Sequence, residues 1–447
     1  MILPKRILFI GTVFPEPISS AAGLRTLSLL KDFLSRGDRV LFTSPSDRNA
    51  FSDALREMGI ETVKIGPNDS AFDTLVREFL PDVVVFDRFM LEEQFGWRVA
   101  ENAPHALRVL DTIDLHFLRR VRGEWLNDAL KTHRLPEGSS IPSEELKRIY
   151  SSLEGIETDD SLRELAAIYR CDLSLIVSTF EERLLAERFS VSSELFLGLG
   201  FSYPQVSSAV GVENSEENQT HSKRKHFVSI GNFRHAPNRD SAFWLARVLW
   251  PQIRDLLAIS GDSETELHLY GAYPPKEIMA LDSPKNRFRV FGPADDAIRT
   301  LEKYRVLLAP IRFGAGIKGK IADAWAAGLP VVTTPIGAEG MFRDDETFAG
   351  VVAEDEAAFI EESAGIYRDL YASRSWIAQG SRALESLYSE EKNRAIFLAK
   401  LDELGEPENL ERHRKRNFIG RMLQSEIAGR TKYMSRWIEE KNKGKSS

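Results

Sequence analysis

Short apolar runs recur along the first 200 residues, and most of them lack apolar-polar alternation. They are RILFIGTVF (6–14), RVLFTS (39–44), ETVKIG (61–66), DVVVFDR (82–88), HALRVLD (105–111) and CDLSLIVS (171–178). Runs without apolar-polar alternation are typical of strands that are buried on both faces. The segments between them, such as GLRTLSLLKDFLSRG, have a helical period. This pattern predicts repeated strand-helix units around a parallel, doubly wound sheet.

The pattern stops at one polar segment and then starts again. Residues 206–225, VSSAVGVENSEENQTHSKRK, are rich in Ser, Glu and Asn, as expected of an exposed linker. The runs that follow it are HFVSIGNF, ELHLYGAYP, RFRVFGP, YRVLLAPI, LPVVTTPIG and GVVAED. The sequence therefore predicts an α/β chain with two Rossmann-like, doubly wound parallel-sheet domains, at residues 1–205 and 226–404.

The last segment, residues 405–447, has a different character. It contains eleven Lys and Arg residues against six Asp and Glu residues, and its apolar residues recur close to helical spacing. This pattern predicts a basic amphipathic helical tail. Two interpretations stay open for residues 412–438: peripheral contact with an anionic membrane, or docking on the acidic body of the same protein.

Composition limits the class of protein. A chain of 447 residues exceeds what one hydrophobic core usually supports. The formal charge of −8 argues against a nucleic-acid partner, and the single cysteine, Cys171, excludes an intramolecular disulfide. The apolar run Ile7–Phe14 is too short for a signal peptide and has no cleavage site after it. We therefore expect a cytoplasmic protein that is at most peripheral at a membrane.

The stretch IRFGAGIKGKIADAWAAG, residues 311–328, matches parts of two nucleotide motifs. A P-loop requires Ser or Thr after its lysine to ligate magnesium, but Ile321 follows Lys320 here. A dinucleotide fingerprint requires an acid after the next strand, and the first one is Glu339. Neither motif is complete.

A third interpretation depends on helix geometry. Lys320 and Asp323 are three residues apart and share one helix face, beside a glycine-rich turn that follows a strand. A diphosphate can lie against Lys320 and the free N–H groups of the helix start, while a ribose diol donates hydrogen bonds to Asp323. From spacing alone, a solvated ion pair of little consequence explains the two residues equally well.

The segment GAGIKGKIADAWAAGLPVVTTPIGAEG, residues 314–340, resembles the donor-binding signature of the GT4-type (group 1) glycosyltransferases, which have the GT-B fold. The similarity continues in FVSIGNFRHAPNRDSAFWLARVLWPQIR and spans about residues 5–404. The resemblance implies two domains that face a cleft. It also implies retaining transfer of a sugar, from a nucleotide-sugar held mainly by the C-terminal domain to an acceptor held mainly by the N-terminal domain.

The resemblance also implies roles for individual residues. Lys320 neutralises the diphosphate, Asp323 takes the position of the ribose-binding Glu, and His116 contacts the transferred sugar, so His116 and Lys320 are the catalytic candidates. The remaining donor-binding candidates are Gly23, Arg234, Gly271, Gly292, Gly316, Gly337 and Glu339. Plain structural roles stay open for them, because glycines serve turns and a lone histidine is more often structural than catalytic.

Charge leads to expectations about cofactors and partners. A fixed cation and helix-end N–H groups can stabilise the departing diphosphate, and no D-x-D element stands at a strand end, so we expect neither a metal nor a cofactor. The resemblance implies an acceptor that is a glycan, a lipid or a protein, as in glycan biosynthesis. Two alternatives are retained: a noncatalytic GT-B scaffold or binding protein, and a sugar-nucleotide epimerase of the same fold.

Overall fold

The computed structural model describes residues 4–203, 224–343 and 346–443. It contains two parallel sheets, one from each half of the chain. Of the predicted linker, residues 206–223 lie outside the described residues.

The first sheet has strand order β3-β2-β1-β4-β5-β6-β7, and all its pairs are parallel. Its strands are β1 (Arg6–Ile10), β2 (Arg39–Ser44), β3 (Glu61–Lys64), β4 (Val83–Asp87), β5 (Leu107–Asp111), β6 (Leu173–Ile176) and β7 (Phe196–Gly198). Every residue of β4 and β6 is buried, which matches their unbroken apolar sequence.

The second sheet repeats this plan with order β10-β9-β8-β11-β12-β13, again with parallel pairs. Its strands are β8 (Phe227–Asn232), β9 (Leu267–Ala272), β10 (Phe288–Val290), β11 (Val306–Ala309), β12 (Val331–Thr333) and β13 (Val351–Val352). In both sheets the strand order reverses beside the first strand, as in doubly wound folds. The predicted fold class is confirmed.

Helices connect the strands and cover both sheets. In the first half they are Ala21–Arg36, Ala50–Glu57, Ala71–Phe79, Phe89–Asn102, His116–Thr132, Ser143–Ser151, Asp159–Arg170 and Thr179–Arg183, followed by the π-helical turn Leu184–Arg188 and the 3₁₀ turn Ser193–Leu195. In the second half they are Ala236–Trp244, the π-helical turn Leu245–Leu249, Trp250–Ile259, Lys276–Met279, the 3₁₀ turn Pro284–Asn286, Ala297–Leu301, Gly319–Ala326, Pro335–Ala338, Glu356–Arg368, Leu370–Leu387, Glu390–Gly405, Pro407–Arg416 and Phe418–Lys443.

The first helix is fixed at both its start and its side. Ser20 caps the helix, because its hydroxyl accepts a hydrogen bond from the Gly23 N–H at 3.0 Å. Arg25 is buried and lies against the end of β5, with Nε 2.8 Å from Asp111 Oδ1. Its Nη1 also donates to the Leu199 carbonyl at 2.7 Å. This arrangement joins the helix, β5 and the segment after β7.

Elements from each half contribute to the core of the other. Leu126, on the helix His116–Thr132, is buried in the same apolar cluster as Phe243 and Trp244 of the second half. In return, Phe397 packs on Phe33 with ring centroids 5.5 Å apart. The helix Glu390–Gly405 therefore belongs to the N-terminal core, whereas the sequence placed residues up to 404 in the C-terminal domain. Its apolar face fits the helix that follows β1.

The predicted helical tail is confirmed. The helix Phe418–Lys443 lies on the N-terminal domain, where Lys432 Nζ donates to Glu101 Oε1 at 2.9 Å. Among the residues that the structure describes, none of the helices combines the length and apolar character needed to cross a bilayer.

The pair Arg25–Asp111 leads to a stability prediction. We expect Arg25→Met to lower the free energy of unfolding by about 3–5 kcal/mol, because it leaves the Asp111 carboxylate buried and unpaired. Equilibrium urea unfolding measures the change. Lys31→Met, at an exposed position on the same helix, is the control. Equal effects of the two substitutions would contradict a structural role for the ion pair.

Candidate functional site

A cleft of about 740 Å³ lies between the two sheets, at the carboxyl ends of their strands. Its lining comes from the loops after the strands on both sides of each order reversal. The N-terminal domain contributes residues 17–22 and Leu24, which follow β1, and residues that follow β4 and β5. The C-terminal domain contributes residues that follow β8, β9, β10 and β11. Doubly wound sheets bind ligands at this position.

The glycine-rich turn between β11 and the helix Gly319–Ala326 forms part of the lining. Gly316 has a φ of 65°, and a Cβ at this position would lie 2.9 Å from the Asp114 Cβ. Glycine is thus required here both by the backbone conformation and by the close approach of the N-terminal domain. Lys318 Nζ donates to the Gly316 carbonyl at 2.6 Å and fixes the turn from within.

Lys320 and Asp323 both line the cleft, and each is bound to a different partner. Lys320 Nζ donates to Asn238 Oδ1 at 2.8 Å, and Asp323 Oδ1 accepts from the Tyr203 hydroxyl at 2.7 Å. Burial lowers the pKa of Lys320 to about 8 and raises the pKa of Asp323 to about 6. Between these values the site presents a cation and an anion one helical turn apart.

His116 lies at the start of its helix and also lines the cleft. Its Nε2 is 3.2 Å from Asp114 Oδ1, and the buried Glu164 accepts hydrogen bonds from the N–H groups of His116 and Phe117. Burial lowers the pKa of His116 to about 4. The imidazole is therefore neutral near pH 7 and can form hydrogen bonds to a sugar without adding charge.

The other predicted donor-binding residues divide into two groups. Gly271 lines the cleft. The other six are not part of the described lining: Gly23, Arg234, Gly292, Gly316, Gly337 and Glu339. Arg234 lies over the Tyr273 ring, 3.4 Å from its centroid. A Cβ at Gly23 would lie 2.5 Å from the Glu16 carbonyl oxygen, and a Cβ at Gly337 would lie 1.8 Å from Thr333 Oγ1. These two glycines permit close packing of the loops behind the cleft.

Glu339 connects the two domains. Its carboxylate accepts hydrogen bonds from both terminal nitrogens of Arg122, each at 2.7 Å, and Arg122 also donates to the Gly314 carbonyl at 2.9 Å. Arg122 is buried and belongs to the helix His116–Thr132 of the N-terminal domain. The Glu339 side chain therefore faces this guanidinium, and its predicted donor contact stays a prediction.

Glu181 makes a second connection to the same turn. Its Oε1 accepts from the Gly316 N–H at 2.8 Å and from the Leu115 N–H at 2.9 Å. Glu181 is fully buried, and burial raises its pKa to about 7. We call Arg122 and Glu181 the interdomain clamp.

Sequence reasoning missed the clamp and Tyr203, because their partners lie more than a hundred residues away along the chain. It also missed Arg88 and Ile113, which line the cleft with φ values of 74° and 64°. Positive φ at non-glycine residues is uncommon and often marks functional sites. The amino-acid sequence alone does not indicate these positive φ angles.

A group that could hold a metal lies elsewhere among the described residues. The side chains of His226, Glu266 and His268 have ligand atoms within 4.8 Å of one another. They lie at the amino ends of β8 and β9, at the opposite end of the sheet from the cleft. Glu266 N–H donates to His226 Nδ1 at 3.1 Å, so this nitrogen is already engaged.

Comparison with protein families gives one match. Residues 224–369 match the family model of glycosyl transferases group 1. The chain therefore carries a group 1 glycosyltransferase domain in its second half, and the predicted enzyme class is confirmed at the level of this domain. No curated protein matches the chain.

Comparison with solved structures identifies the fold as GT-B. A glycosyltransferase from Rickettsia africae has a TM-score of 0.62 at 12% identity, over 90% of this chain and 99% of that chain. Anabaena HepE in complex with UDP and glucose has a TM-score of 0.57 at 12% identity, over 89% and 99%. Sucrose-phosphate synthase from Thermosynechococcus elongatus has a TM-score of 0.57 at 12% identity, over 90% and 99%.

The buried Glu181 predicts a pH-dependent stability difference. A carboxyl group whose pKa is raised by folding stabilises the folded state below its unfolded pKa and loses that contribution as the pH rises through its folded pKa. As the pH rises from 4.5 to 7, the wild type should therefore lose about 3 kcal/mol of unfolding free energy relative to Glu181→Gln, which has no titrating carboxyl group at this position. Urea unfolding across this range measures the difference, with exposed Glu187→Gln as control. A constant difference would show that Glu181 does not titrate in the folded protein.

Proposed function

We propose that the protein is a retaining, metal-independent glycosyltransferase that moves a sugar from a nucleotide-sugar to an acceptor bound in the cleft. The observation that carries the proposal is the placement of Lys320 and Asp323. Both line the cleft between the domains, and both belong to the segment that matches the group 1 model. The GT4 subfamily and the cytoplasmic location stay predictions.

The donor is held through its diphosphate and its ribose. Lys320 provides the cation for the diphosphate, and the start of the helix Gly319–Ala326, where Lys318 makes no capping hydrogen bond, adds backbone N–H groups. Asp323 accepts hydrogen bonds from the ribose hydroxyls, while Tyr203 holds the carboxylate in place. Because HepE is described in complex with UDP-glucose, we choose UDP-sugars as the first donors to test.

The chemistry follows from where charge develops. Cleavage of the bond between the anomeric carbon and the diphosphate oxygen leaves negative charge on the departing nucleotide. A preorganised cation in a partly buried site stabilises that charge more than water does. Lys320 supplies the cation, and the neutral His116 orients the sugar by hydrogen bonding. The acceptor hydroxyl attacks the anomeric carbon, and its identity as part of a glycan, a lipid or a protein is left to acceptor screening.

One prediction of the proposed function concerns Lys320. We expect Lys320→Met to weaken binding of the preferred nucleotide-sugar by about 10- to 100-fold, the usual value of a hydrogen bond to a charged group. Isothermal titration calorimetry with UDP-glucose and GDP-mannose measures the change in affinity, with exposed Lys303→Met as control.

A separate experiment tests the metal-independent mechanism. Transferase activity that persists in EDTA supports the absence of a metal step.

Three results would contradict the proposal. Lack of binding to any nucleotide-sugar at millimolar concentration would favour the noncatalytic scaffold. Recovery of the nucleotide-sugar with an altered sugar would favour an epimerase. Undiminished binding by Lys320→Met would remove this residue from the donor site.

Another prediction of the proposed function concerns the pH dependence of donor affinity. Donor affinity should be highest between about pH 6 and pH 8, since Asp323 loses its charge below this range and Lys320 loses its charge above it. The hydrogen bond from Tyr203 lowers the pKa of Asp323. Tyr203→Phe should therefore move the acid limb of the affinity profile to higher pH and leave the alkaline limb in place. Titration calorimetry against pH measures both limbs.

The neighbouring Tyr388 offers a matched control. Its ring contacts that of Tyr203, but its hydroxyl lies near the Met341 carbonyl rather than Asp323. Tyr388→Phe should preserve the acid limb. If both substitutions moved the limb equally, the effect would come from packing and not from the bond to Asp323.

A further inference from the structure

The tail helix Phe418–Lys443 contacts the N-terminal domain through polar groups. The Ser435 hydroxyl donates to Asn68 Oδ1 at 2.8 Å and accepts from Arg98 Nη2 at 3.1 Å. Lys432 binds Glu101, as described above. These polar contacts anchor one side of the helix on the domain, and Ile427 and Ile438 on the same side are half-buried.

Large apolar side chains remain on the opposite side. Phe418, Met422, Tyr433 and Trp437 are 69%, 56%, 72% and 62% exposed. They are separated by 4, 11 and 4 positions along the chain, so they lie on one helix face. Exposed apolar patches of this kind usually mark interaction sites. We call these four residues the tail face.

Positive charge lies beside the tail face. A groove of about 520 Å³ runs along the helix Pro407–Arg416, and its lining includes Glu411, Lys415 and Arg421. Lys415 Nζ is bound to Glu411 Oε1 at 2.6 Å, so Arg421 supplies the positive charge at this end. Arg421 is one helical turn from Phe418. At the other end, Lys441 Nζ lies 4.9 Å from the centroid of the Trp437 ring. Cations thus flank the apolar strip at both ends.

We propose that the tail face docks on an anionic lipid bilayer. Phe418 and Met422 enter the boundary between headgroups and acyl chains, and the rings of Tyr433 and Trp437 lie at headgroup level, as amphipathic aromatic rings do. Arg421 meets lipid phosphates beside the adjoining groove. Apolar area and cationic charge together determine the binding strength of such helices.

Charge favours a bilayer over a second copy of the chain. Residues 405–447 have five more basic than acidic residues. Pairing of two tail faces would bring two such segments together and create repulsion, whereas an anionic surface attracts each of them.

Docking also orients the protein. The helix Phe89–Asn102, which carries Arg98 and Glu101, belongs to the N-terminal domain. The membrane would therefore contact this domain. On the proposed function, which assigns the acceptor to this domain, an acceptor with a lipid anchor fits best.

Vesicle sedimentation with the full chain tests the proposal. We expect the wild type to bind vesicles of phosphatidylcholine and phosphatidylglycerol, and to bind pure phosphatidylcholine and high-salt samples more weakly. Phe418→Ser/Trp437→Ser should reduce binding at least about tenfold, because burial of two aromatic rings is lost. Ile259→Ser, at a position 85% exposed on the C-terminal domain, should bind like the wild type.

The outcomes are separable. Wild-type protein that stays in the supernatant, or a double variant that binds as well as the wild type, would overturn the proposal. A dimer in light scattering that dissociates in the double variant would show that a second copy covers the tail face. Because the assay contains no nucleotide-sugar, either result leaves the donor site unaffected.

Discussion

The glycine-rich turn after β11 is held from the opposite domain, and the geometry of the cleft depends on this contact. Arg122 binds the Gly314 carbonyl and Glu339, while Glu181 accepts from the Gly316 N–H. These charged groups are buried or nearly so, and a buried charge without its partner costs several kcal/mol. The domain assigned to the acceptor therefore fixes the backbone on which the donor is to be bound, immediately before Lys320.

Helices from each half of the chain pack in the core of the other half, and this packing supports the contact. The helix His116–Thr132 begins at the cleft with His116, carries Arg122 one turn and a half later, and then buries Leu126 in the core of the second half. One helix thus connects the candidate sugar contact, the interdomain clamp and the C-terminal core. The helix Glu390–Gly405 returns to the first core through Phe397. Domain opening would have to separate apolar surfaces as well as ion pairs.

The sequence was sufficient for features that depend on local periodicity. Unbroken apolar runs predicted the buried parallel strands, and the spacing of Lys320 and Asp323 placed both on one helix face. It was insufficient where distant segments meet: Tyr203 reaches Asp323 across 120 positions, and Arg122 reaches Glu339 across 217. The spacing of apolar residues also predicts that a helix face is buried, but it does not indicate which core buries it. For this reason the predicted domain boundary at residue 404 gave no sign that the helix Glu390–Gly405 packs on the first core.

The tail helix combines charged contacts to the protein body with an apolar face that stays in solvent. From sequence, docking on the protein body and docking on a membrane were alternatives, because both use an amphipathic basic helix. In the structure the basic residues Lys432 and Arg436 meet Glu101, so charge holds the helix on the acidic body. Those contacts use one side of the helix only, which leaves Phe418 and Trp437 in solvent. Docking on the body thus orients the apolar face outward, where the proposed contact with a bilayer can use it.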